Sequence, residues 1–149
     1  MPLAGALDIT PLLPDVPMVT VDGRELAIAN VDILQVIHEI RASEVEALVP
    51  PALNPTLPPV VSILVYRAEE SAFGPFSLVQ VRITARAGVR PRAFLVSACC
   101  DNPALTERLS LSWGYRIRPA ETRLRRFHDR VECTVVADRR TILVRSAAE

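Results

Sequence analysis

Most of the side chains with which this sequence does chemistry fall between Cys99 and Arg118. Cys99-Cys100-Asp101 ends an apolar run, and Trp113-Gly114-Tyr115-Arg116-Ile117-Arg118 follows it. Arg116 and Arg118 bracket Ile117, so in an extended segment both arginines face one side and Ile117 the other. A guanidinium there grips a carboxylate or enolate oxygen through two parallel hydrogen bonds. Tyr115 can donate to a carbonyl and polarise it without covalent chemistry, and Trp113 can add an aromatic wall. Each feature has a plainer counterpart. Two surface arginines beside a buried Ile117, with two aromatics packed at a helix exit, produce the same string. Cys99 or Cys100 needs a nearby base or cation to act as a nucleophile; otherwise one points into the core and the other out.

The elements that position these residues can be read locally. A strand ends at Cys100, and Asp101 or Asn102 caps a helix whose first turn tolerates Pro103. The helix runs to about Leu111, and Gly114 is suited to the left-handed residue that closes it. Arg116 to Pro119 is thereby aimed back toward the preceding strand.

The chain has 149 residues, half of them hydrophobic, which suits one domain, 1–149, with a sizeable core. Seventeen basic and seventeen acidic residues balance, which argues against a nucleic-acid binder. Every basic residue is an arginine, and a guanidinium stays protonated and forms no imine. Three cysteines, two of them adjacent, make a disulfide framework improbable and favour a reducing cytoplasm. The start lacks a signal-peptide pattern, and no stretch reaches the length of a membrane helix. The cysteines and histidines lack zinc spacing, and no glycine-rich loop joins a strand to a helix, so no cofactor is expected.

Residues 1–17 read as a Pro-rich extended arm, and Asp22-Gly23 as a hairpin turn. Val31 to Ile40 reads as a strand, with a helical stripe as the alternative. Ser43 and Glu46 form a capping box opening a helix to Val49, and a stiff loop carries five prolines between Pro50 and Pro59. Strands are expected at Val60–Ala68, Phe76–Arg86, Ala93–Cys100, Thr122–Phe127, Arg130–Ala137 and Thr141–Arg145. His38 falls in an apolar stripe and His128 in a charged turn. Many strands and two short helices indicate a mostly β (α+β) fold, an antiparallel sheet curled into a partial or closed barrel.

Three segments together resemble the acetoacetate decarboxylase family: Leu48-Val49-Pro50-Pro51-Ala52-Leu53, Glu70 to Phe76 with Gly74, and the strand–Asp101-Asn102–helix–Tyr115 run. The resemblance covers roughly Arg24 to Val144. Family members are longer and complete a barrel with further strands. In the family an aromatic-Pro-Lys-Lys segment delivers a Schiff-base lysine; here Ile117 matches that lysine and Arg118 its neighbour. Ile63 and Leu78 match two acidic groups of the family site, and Arg24 matches a pocket arginine. The resemblance thus implies an acetoacetate-decarboxylase-like scaffold without the family's imine chemistry.

The expected site joins Arg118 as anion anchor and Tyr115 as donor, with Trp113, Arg116, Ile117, Phe76, Glu70 and Arg24 around the ligand. Its ligand would be a small organic carbonyl or carboxylate, and its reaction an isomerisation, cyclisation or dehydration driven by positioning and electrostatics. Two other classes stay open: a non-catalytic ligand-binding protein, and a partner subunit whose barrel is completed by another chain. A homo-oligomer is expected, with no membrane partner.

Overall fold

The computed structural model describes residues 4–15 and 25–147. The Asp22-Gly23 hairpin and Arg24 lie outside them. Among the described residues a 3-10 turn at Thr10–Asp15 precedes β1 (Ile28–Glu39), α1 (Ala42–Leu48), β2 (Asn54–Pro55), β3 (Val60–Ser71), β4 (Phe76–Ala87) and β5 (Arg90–Cys100). Then come α2 (Pro103–Trp113), β6 (Ile117–Pro119), β7 (Glu121–Arg126), β8 (Arg130–Ala137) and β9 (Arg140–Ala147). The chain is thus mostly strand with two helices. One sheet has the order β1-β3-β4-β5-β6, with β2 paired to β4, and a second is β7-β8-β9.

Turn chemistry explains the hairpins. Gly74, at φ 80°, donates its amide to the Ser71 carbonyl at 3.0 Å and lets β3 fold back into β4. Asp138 and Arg139, at φ 50° and 61°, form the two-residue link from β8 to β9. That is the twist a tight hairpin requires, and aspartate tolerates it.

The expected mostly β fold is observed, with two refinements. The sheet is mixed, because β6 pairs parallel to β5, with Ala98 opposite Ile117 and Cys99 opposite Arg118. A parallel partner needs a long crossover, and α2 supplies it. The first sheet also ends at β1 and β6 instead of joining on itself, so the closed form of the expected barrel is not observed.

Local corrections follow the same logic. The 31–40 segment is strand, and its helical alternative is set aside. The capping box at Ser43 does not form: α1 starts two residues earlier, with Arg41 at the N-cap and no side-chain cap bond. Val45 and Val49 are fully buried four residues apart, and that packing sets the helix phase. The proline loop contains β2, whose Pro55 lies opposite Ala85. Helix α2 runs two residues beyond Leu111, to Trp113.

The chain divides into two compact units. The first comprises 1–16, 37–63 and 80–97, and its core is Val45, Val49, Ile83 and Ala85, with Ile40, Leu53, Val61, Phe94 and Val96 against it. The arm is not extended throughout. Its Gly5 and Leu7 amides donate to the Leu53 and Val49 carbonyls, both at 3.0 Å, and the 3-10 turn follows. A Cβ on Gly5 would lie 2.1 Å from the Val49 carbonyl oxygen. Gly5→Ala should therefore detach the arm and cost about 1–3 kcal/mol, read as a lower urea midpoint. An unchanged midpoint would show the arm contributes nothing.

The second unit comprises 17–36, 64–79 and 98–149. Its core is Ala68, Phe76, Leu78, Cys100 and Leu105, with Val31, Tyr66, Phe73, Leu109 and Ile117 packed against it.

Candidate functional site

The Cys99–Arg118 region is built around Asn102. Its side chain accepts the Leu105 amide at 3.0 Å, capping α2, while its amide group donates to the Phe73 carbonyl at 2.8 Å and the Pro75 carbonyl at 3.1 Å. Asp101 binds β4 from the adjacent position: its carboxylate accepts the Ser77 amide at 2.6 Å and its own amide donates to the Ser77 carbonyl at 3.2 Å. One end of α2 is thus fastened to the β3–β4 turn. At the other end Gly114, at φ 66°, donates to the Ser110 carbonyl, and the Ser110 hydroxyl donates to the Tyr115 carbonyl at 2.9 Å. These bonds fix where β6 begins.

On β6 the two faces separate. Ile117 is half-buried in the second core with Phe76, Leu78, Leu105 and Leu109. Arg116 and Arg118 are exposed. The Arg118 guanidinium meets the Asp138 carboxylate at the β8–β9 turn at 3.4 Å, with side chains 63% and 70% exposed. An ion pair that open contributes little to stability. Tyr115 is half-buried, Trp113 is exposed, and their rings lie 6.1 Å apart at 53°. Phe76 is buried in the core. Glu70 is exposed and accepts the Asn30 amide at 2.7 Å. The structure therefore brings Trp113 to Tyr115 and Ile117 to Phe76, and sets Glu70 apart with Asn30.

The thiols are reduced and unpaired with one another. Cys100 is buried in the core, and Cys99 is half-buried across from Arg118. Burial pushes the Cys99 thiol up, a rise that the Arg118 charge opposes, and burial pushes Cys133 up to about 11. Neither is an activated nucleophile. His38 is exposed on β1, the edge strand of the first sheet. Among the described residues no three metal-ligating side chains cluster.

Two concavities of the second unit flank Asp101. One, about 600 Å³, lies beside the start of α2, lined by Pro103, Thr106, Glu107, Pro119 and Val136. The other, about 500 Å³, runs between Arg67–Glu69 and Pro75–Ser77 on one wall and Thr122–Arg125 on the other. Of the expected site residues, Phe76 lines the second. Arg67, Thr122, Arg123 and Arg125 were not singled out from sequence. The only local signal was arginine at alternate positions of a strand, which commonly marks a solvated face.

With the geometry in hand, the relatives can be placed. The family model described as acetoacetate decarboxylase matches residues 10–146. The chain belongs to the acetoacetate decarboxylase family. No curated protein matches it. Among solved structures it resembles acetoacetate decarboxylase from Legionella pneumophila at 19% identity and a TM-score of 0.73, over 82% of this chain and 49% of that one. A second acetoacetate decarboxylase structure matches at 15% identity and a TM-score of 0.74, over 85% and 52%. The enduracididine biosynthesis enzyme MppR, complexed with a condensation product of pyruvate and imidazole 4-carboxaldehyde, matches at 12% and 0.65, over 78% and 53%. At these identities the likeness is one of fold. The chain spans about half the length of these structures. No helix is long and apolar enough to cross a membrane.

Proposed function

We propose that this acetoacetate-decarboxylase-family domain binds and transforms a small carbonyl, enol or carboxylate metabolite without a lysine imine, in an isomerase, cyclase or dehydratase type of reaction. One observation carries the reading. Ile117 and Leu78, the positions that match the family's lysine and one of its acidic groups, lie in a single apolar cluster. Hydrocarbon there neither condenses with a ketone nor transfers a proton. In this reading chemistry rests on the polar side chains of the same segment: Arg118 holds the anionic end of the ligand and Tyr115 donates to its carbonyl. MppR supports the reading as a relative by fold whose structure holds a condensation product rather than a decarboxylation product.

A non-catalytic ligand-binding role is the second reading, and the ion pair of Arg118 with Asp138 favours it. Homo-oligomer formation is supported by the exposure of Ile33 and Ile37, 61% and 59%, on edge strand β1.

Borohydride with acetoacetate should leave the protein mass unchanged. Arg118→Ala should weaken binding of pyruvate, a small oxo-carboxylate, roughly 10-fold or more, as loss of a charge-assisted hydrogen bond does. Tyr115→Phe should reduce turnover and leave binding nearly intact. A trapped adduct, or variants that bind and react like the parent, would overturn the reading.

A further inference from the structure

We infer that the groove between Arg67–Glu69 and Thr122–Arg125 is a second binding site, for a small dianion such as a dicarboxylate or a phosphate ester. The inference is independent of the reading above, since the groove contains neither Arg118 nor Tyr115.

Charge accounting supports it. The groove is lined by three arginines, Arg67, Arg123 and Arg125, and two carboxylates, Glu69 and Asp101. Both carboxylates are engaged: Glu69 with Arg67 at 3.7 Å, and Asp101 with the Ser77 amide at 2.6 Å. Arg67 also donates to the Leu124 carbonyl at 3.5 Å, which ties one wall to the other. Among the described residues no carboxylate forms an ion pair with Arg123 or Arg125, and Glu132, opposite Arg125 in the β7–β8 register, is engaged with Arg130. A neutral amide does not cancel the Asp101 charge, so the lining carries a net surplus of one positive charge.

Geometry adds selectivity. Arg123 and Arg125 alternate on β7, so they project to the same face about 7 Å apart along the strand. Two planar forks at that spacing suit a ligand with two anionic oxygen pairs better than one with a single carboxylate. At about 500 Å³ the groove has room for a metabolite and is far larger than a single ion needs. Because β7 pairs with β8 on one side only, its outer backbone edge is also available to the ligand.

Titration calorimetry of the whole chain with succinate, inorganic phosphate and acetate tests this. Succinate or phosphate should bind at least 10-fold more tightly than acetate, and their order tells a dicarboxylate site from a phosphoryl site. Added salt should weaken binding. The double variant Arg123→Gln/Arg125→Gln, at exposed positions, should keep the thermal midpoint and lose at least 10-fold in affinity. Binding of pyruvate should survive the double variant, which separates this groove from the Arg118 site. No binding of either dianion, or equal binding by the double variant, overturns the inference.

Discussion

Replacing Leu105 by alanine should lower the stability of the protein by about 2–5 kcal/mol, among the largest effects expected of a single truncation in the second unit. Leu105 is 1% exposed and sits among Ala68, Phe76, Leu78 and Cys100, so α2 reaches that core through it. Three carbons lost from this site leave a cavity that the tethered helix cannot easily close. Asn102 bonds two carbonyls of the β3–β4 turn, and Asp101 binds Ser77. Urea denaturation should show a lower midpoint at an unchanged slope. A loss below about 1 kcal/mol would mean that α2 is held by its ends alone.

Asn102→Ala should be the next most damaging change, at about 2–4 kcal/mol. Losing the cap on Leu105 accounts for about 1 kcal/mol. Leaving the Phe73 and Pro75 carbonyls without their donor adds the rest. Asn102→Asp is the informative partner. It keeps an acceptor for the helix amide but removes both donors and sets a carboxylate against two carbonyl oxygens. Its stability should fall between the parent and alanine, and hydrogen exchange of the α2 amides should rank the three proteins in that order. If aspartate matches the parent, the bonds to the turn carry no energy.

What was legible in the sequence was local. Pro103 at the start of α2 and Gly114 at its close are backbone requirements written in single residues, and the structure contains both. Ser43 and Glu46 were equally local and failed, because burying Val45 and Val49 decides the phase of α1 more strongly than one cap. The parallel pairing of β6 was not readable from Ile117-Arg118-Pro119, since three residues carry no partner preference. Its direction comes from the crossover through α2. The site divides in the same way. The alternation that turns Ile117 inward and its arginine neighbours outward follows from strand geometry. The dianion groove needs Arg67 beside Leu124, more than fifty residues apart, and no spacing rule connects them.

The Arg118–Asp138 contact has a consequence for any ligand at that arginine. The hairpin tip holds a captive rival for the guanidinium, present at high effective concentration because the chain tethers it. An incoming anion must first evict it. So open a pair is worth at most about 1 kcal/mol; on the proposed role of Arg118 the toll on an incoming anion is therefore a few-fold in affinity, levied by Asp138 without touching the ligand.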